Sequence, residues 1–152
     1  MKKFLPSLSR LALLFVSAVL FAQTEHITAF TGTWKLNVAK SKYSPGPGLK
    51  SETVTIASDG KTTVEAVGAL GKSLQWSYPW SDGAEVPIEG IANATTRTKI
   101  RGHTMDQTTK AGKGTTTSHV VLSPGERIAT VTIDGTDWQG SPEHDVEIFE
   151  KQ

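Results

Sequence analysis

The chain contains no cysteine. Disulfides, thiolate metal sites, thiol nucleophiles and a lipid anchor on cysteine are therefore excluded. A strong charge of one sign is also missing: 16 Lys and Arg stand against 15 Asp and Glu in 152 residues. Long apolar runs are scarce. The one run present, 11–21 (LALLFVSAVLF), is about half the roughly 20 residues a spanning helix requires. It follows the basic residues Lys2, Lys3 and Arg10 and ends at the small residue Ala22. That layout predicts a secretory signal peptide over 1–22, cleaved after Ala22 or, as a fallback, after Ala18. A retained membrane anchor is the alternative, and the short run argues against it. The expected mature chain, 23–152, is a single domain located in the periplasm or outside the cell, with no membrane span. Removing the three basic residues of the leader leaves 13 basic against 15 acidic residues. No basic excess remains to attract nucleic acid.

Helical periodicity is absent as well. After residue 22 no segment holds apolar residues at helical spacing beyond two turns. What is present is threonine, glycine and strict alternation. β-branched Thr suits strands and is disfavoured in helices. Strands are expected over 31–38, 53–56, 64–66, 74–80, 86–88, 95–101, 103–109, 115–122, 127–133 and 145–149. Asp59-Gly60, 68–71, Asp82-Gly83, 110–114 and Pro124-Gly125 provide the turns between them, and 135–142 reads as a longer connection holding Trp138. Such spacing leaves no room for parallel crossovers. The expected fold class is all-β, an antiparallel up-and-down meander of about 8–10 strands closed into a small barrel, because closure removes exposed edges.

Phe30-Thr31-Gly32-Thr33-Trp34-Lys35-Leu36 resembles the opening of the calycins, the lipocalins and fatty-acid-binding proteins. The segment 146–151 (VEIFEK) is similar to the last barrel strand of fatty-acid-binding proteins. The frame TGTWKLN…SKYSPGP near the start and LSPGE…TVTIDGTDWQG…VEIFEKQ at the end resembles a group of secreted lipocalin-like bacterial proteins. The resemblance implies a calycin-like barrel with Gly32 opening the first strand, Trp34 plugging one end, and Arg127 a candidate to lie over the plug. It also implies two departures. The stretch 37–50 is short and rich in Pro and Gly, so it cannot form the helical lid of fatty-acid-binding proteins. In place of the Arg-x-Tyr pair that holds a fatty-acid carboxylate in those proteins stands Glu147-Ile148-Phe149.

Leu74, Trp76, Tyr78 and Trp80 recur at every second position, so they share one face of a strand. They form either the wall of a ligand cavity or simply core. The faces Thr96, Thr98, Ile100 and Thr115, Thr117, His119, Val121 are semi-polar, suited to a wet cavity or to a solvent-facing sheet. Arg97 and His119 are candidates to orient a ligand. The four histidines (His26, His103, His119, His144) show no His-x-His or His-Glu-x-x-His spacing, so no metal is implied. No nucleophile elbow or phosphate loop occurs, so no catalytic residue and no cofactor is assigned. The expected function is binding of a small apolar or amphiphilic molecule without catalysis. A filled barrel acting as an envelope interaction module, or a calycin-type isomerase or cyclase, are the alternatives. Nothing in the pattern sets an oligomeric state.

Overall fold

A computed structural model describes residues 27–152. The expected signal peptide lies outside the described residues. Eleven strands follow in order: β1 (Gly32–Leu36), β2 (Lys42–Ser44), β3 (Ser51–Ile56), β4 (Thr62–Val67), β5 (Ser73–Tyr78), β6 (Val86–Pro87), β7 (Thr95–Arg101), β8 (Thr104–Ala111), β9 (Gly114–Leu122), β10 (Ile128–Thr136) and β11 (Pro142–Lys151). One sheet holds them all, in the order β5-β4-β3-β1-β11-β10-β9-β8-β7-β6, with β2 paired to β11. The sheet rolls until its two edges meet. Closure rests on a single bridge pair, in which the Ser77 and Glu89 N–H groups donate to each other's carbonyls at 3.0 and 2.8 Å. The meander is thus a nearly closed antiparallel barrel, as the alternation and tight turns predict.

Local chemistry explains the joints. At the Asp59-Gly60 turn, the Lys61 N–H donates to Asp59 Oδ1 at 2.9 Å and Gly60 takes φ +83°. β1 and β2 act as one bent strand along β11: β1 pairs with residues 149–151 and β2 with residues 144–146. A 3-10 turn, Val38–Lys40, takes up the bend, and it is pinned to β11 by the Asn37 N–H on the Ile148 carbonyl at 2.7 Å.

β2 is not among the expected strands, several strand ends shift by one to three residues, and two connections are shorter than expected. The connection read at 135–142 shrinks to 137–141, because Asp137 Oδ1 accepts from the Gln139 and Ser141 N–H groups at 2.9 and 2.8 Å and makes a tight side-chain-supported turn. The tip read at 110–114 shrinks to Gly112-Lys113, since pairing continues to Ala111 and Gly114.

The packed core fills one end only. Ile27, Phe30, Trp34, Leu36, Ile56, Ile100, Val120, Leu122, Ala129 and Phe149 form its buried cluster. Trp34 is 3% exposed and its indole N–H donates to the Phe30 carbonyl at 2.8 Å, so this aromatic closes the floor with its polar atom satisfied. Lys151, not Arg127, lies over it. The Lys151 ammonium sits 5.1 Å from the Trp34 ring centroid. Arg127 is exposed in the turn before β10, where its carbonyl accepts the Lys151 N–H at 2.9 Å. Gly32 makes the arrangement possible: at φ +119° a Cβ there would come within 3.0 Å of Lys151 Cε. Lys151→Ala is therefore expected to cost about 0.5–1 kcal/mol in chemical denaturation, and Arg127→Ala less than about 0.5 kcal/mol. Equal effects would contradict the Lys151 assignment.

Candidate ligand cavity

Above the floor the barrel is hollow. A cavity of about 650 Å³ runs from Trp34 and Phe149 to the opposite mouth. That size lies within the roughly 300–1,000 Å³ of small-molecule sites. Among the expected residues, Trp76, Tyr78 and Trp80 line it. Leu74 does not: it is 46% exposed, because the upper half of β5 has no neighbour on its free edge beyond the Ser77–Glu89 bridge. Thr96, Thr98 and Ile100 point inward and are buried, and Thr98 and Ile100 line the cavity. The other semi-polar face is inverted. Thr116, Ser118 and Val120 line the cavity, while Thr115, Thr117, His119 and Val121 face outward.

Both proposed orienting groups consequently lie outside. Arg97 is exposed on the outer face of β7. His119 is exposed and its Nδ1 pairs with Asp106 at 2.7 Å. His103 pairs with Glu126 and His144 with Asp134, also on the outside. Among the described residues, no group of His, Cys, Asp and Glu is arranged to hold a metal ion.

The polar groups inside come instead from β2, β3 and β11. On β11 the inward parity set by Phe149 carries Glu147, Asp145 and Glu143 up the wall toward the mouth. Glu143 stands about 20 Å along the strand from Phe149, at ~3.3 Å per residue. Tyr43 of β2 lies directly across from Asp145, and Glu52 of β3 completes the group. The Asp145 carboxylate accepts the Ser44 N–H at 2.8 Å. Tyr43 lies close enough to Glu147 to act on its charge, but its hydroxyl is buried without a hydrogen bond of ordinary geometry. Gly48 packs flat on the Tyr43 ring, where any Cβ would fall within 2.0 Å of it.

Glu52, Glu143 and Glu147 hold their protons more tightly than an ordinary glutamate. Burial pushes Glu52 up to about 8, with the Glu147 charge adding to it. Burial pushes Glu147 up to about 7, against the pull of the Tyr43 hydroxyl. Glu143 is raised by burial and by Asp145, and Tyr43 is raised by burial and by Glu147. Tyr78 is raised chiefly by burial; Gln107 counteracts this and Glu52 adds to it. Among the described residues the wall counts five carboxyl groups, the fifth being Asp137, and no Lys, Arg or His. Phe149 was the available signal for this row. Its parity places Glu143, Asp145 and Glu147 inside, but Val146 and Ile148 offer a competing apolar face.

Solved structures share this barrel. The fluorescent protein UnaG superposes with a TM-score of 0.52 at 16% identity, over 83% of this chain and 99% of UnaG. The Schistosoma mansoni fatty acid binding protein, in complex with arachidonic acid, gives 0.54 at 16% identity, over 84% and 98% of the two chains. Fatty-acid-binding protein 1 of Echinococcus granulosus gives 0.53 at 14% identity, over 81% and 97%. The fold is the calycin barrel. No family model and no curated protein matches the chain. At such identity the likeness concerns the fold; between β1 and β3 this barrel carries only the turn Val38–Lys40 and the strand β2.

Proposed function

We propose that this calycin barrel is an exported carrier that binds a small apolar or amphiphilic molecule in its cavity and performs no chemistry on it. The open cavity of about 650 Å³ with an aromatic wall carries the reading. Evolutionarily cheap closure of such a space would need only larger side chains, yet Thr98, Thr116 and Ser118 face it where Val or Leu would pack. Trp76, Tyr78 and Trp80 supply apolar area to a bound molecule, and burial of that area drives binding. The neighbouring folds named above include one seen with arachidonic acid, which supports an apolar guest. The basic residues Lys2, Lys3 and Arg10 ahead of the apolar run support export, and an intact mass beginning at residue 23 in the exported protein would check it.

The neutral fluorescent probe N-phenyl-1-naphthylamine tests binding. It is expected to brighten on addition of the protein and to saturate at one site. Trp76→Ala is expected to weaken its affinity about tenfold, roughly 1.4 kcal/mol, while the far-ultraviolet dichroism is kept. No probe binding by folded protein would overturn the carrier reading in favour of an interaction module.

A further inference from the structure

An apolar cavity and its polar groups specify different parts of a guest, and here the charged-type groups among the described lining residues are all carboxyls. The floor is apolar: Trp34, Ile56, Ile100, Val120 and Phe149. The upper wall brings Glu52, Glu143, Asp145 and Glu147 together around Tyr43, with no basic side chain among the described residues that line it. Glu147 is 5% exposed and Asp145 6% exposed. Buried carboxyls without a countercharge are costly, and a native wall keeps them only where something supplies the opposite charge or donors.

A second observation points the same way from the other side of the barrel. Thr98 is 3% exposed, lines the cavity, and its hydroxyl has no hydrogen-bond partner. Its backbone N–H is already used on Ser81 Oγ at 2.9 Å, so the side-chain oxygen remains for a guest. Gln107, its cross-strand neighbour, sits beside the Tyr78 hydroxyl, and the same tyrosine feels the charge of Glu52. Acceptors thus face the cavity from β2, β3, β7 and β11. Trp76 and Trp80 also line the cavity, and aromatic rings of this kind attract cations.

We infer that the cavity selects a cationic amphiphile, an apolar body bearing an ammonium-type head, inserted tail first so that the head rests among Tyr43, Glu52, Asp145 and Glu147. The inference rests on the carrier reading and adds the chemical class of the guest. A carboxylate head entering the same wall would find no basic side chain among the described lining residues to pair it, so fatty acids are disfavoured. A neutral alcohol would gain the tail contacts alone. The ammonium gains both, and its three donors match the acceptors that the wall leaves open.

The experiment compares three guests with one tail: decylamine, decanol and decanoate, each displacing N-phenyl-1-naphthylamine from the purified protein at pH 7. Decylamine is expected to bind at least tenfold more tightly than decanol, with decanoate the weakest. Glu147→Gln, and separately Glu52→Gln, are expected to lower decylamine affinity about tenfold and to leave decanol within twofold. Both replacements keep side-chain volume; the comparison among the three guests on the unaltered protein needs no variant at all. Probe binding with decylamine no tighter than decanol, or with decanoate tighter than decylamine, overturns the inference and leaves the carrier reading standing. Binding of neither the probe nor any of the three guests overturns the carrier reading, and the inference with it.

Discussion

Trp34→Ala is expected to lower the stability of the barrel by about 3–5 kcal/mol, the cost of removing a fully buried large aromatic. Several losses coincide at this position. The indole is 3% exposed among Phe30, Leu36, Ile56 and Phe149, so its removal leaves a void next to a cavity that is already open. The Phe30 carbonyl loses its donor at 2.8 Å. The Lys151 ammonium loses the ring beneath it. The surrounding strands cannot collapse into the space, because the same residues form the floor of the cavity and are tied to β1, β3 and β11 by backbone pairing. For a chain of this size the melting temperature is expected to fall by roughly 10–15 °C. Leu74→Ala, at a position nearly half exposed and off the cavity, is the control, with an expected change below about 0.5 kcal/mol. A loss under about 1 kcal/mol for Trp34→Ala in urea or thermal unfolding would mean that the floor is not closed by this residue.

The same floor shows what the sequence could disclose. Gly32 and Trp34 are legible because a local motif and a strict packing role coincide there. The antiparallel meander is legible because Asp59-Gly60 and the alternating strands impose their geometry within a few residues. The stripe Trp76, Tyr78, Trp80 is legible for the same reason, while Leu74 is not, since only the position of β6 decides whether the top of β5 is covered. Facing is harder to read wherever both parities carry similar residues. Thr115 and Thr116 are chemically alike, so nothing local says that Thr116 lines the cavity and His119 does not. In β7 the charges Arg97, Lys99 and Arg101 settle the matter, because they cannot alternate inward against Ile100. The acid wall is the instructive failure. Carboxyls are ordinarily assigned to solvent, and in β11 the residues on the opposite parity, Val146 and Ile148, look like the better interior. They are only partly buried, on the parity of β11 opposite to Phe149 and the cavity. Sequence periodicity fixes which residues share a face, whereas the assembled barrel decides which face is inside.

That wall also makes stability depend on pH in an unusual sense. Glu52 and Glu147 release their protons near 8 and 7 in the folded chain, against 4.5 for an ordinary glutamate. Below about pH 4.5 both states bind these protons equally, so the two groups favour neither. Between pH 5 and pH 8 the unfolded chain ionises freely and the folded chain does not. The folded state is then the one holding more protons, so its stability falls as pH rises. Each unit of displacement is worth about 1.4 kcal/mol for a fully desolvated group, and water in the open cavity reduces this. A net loss of about 3 kcal/mol between pH 5 and pH 8 is expected, read as a shift in the urea midpoint. Glu143, which faces the same pair, acts in the same direction, and Tyr43 does so only above about pH 10. On the outer surface Glu85, held down by Lys110 and Thr95, and Glu150, held down by Asn37 and Lys40, act oppositely, but their effect appears only as pH falls toward the ordinary glutamate range. Stability is therefore expected to peak near pH 5. Glu52→Gln and Glu147→Gln should each flatten the decline above it. A profile rising from pH 5 to pH 8 would show that the buried carboxyls are paired in the native state, and an undiminished slope in both variants would place its origin elsewhere. A bound cationic amphiphile changes the balance in a definite way. It favours the ionised carboxyls, so its stabilising effect must grow with pH until the head group itself deprotonates. The melting-temperature rise produced by decylamine should accordingly be larger at pH 8 than at pH 5, whereas that produced by decanol should not.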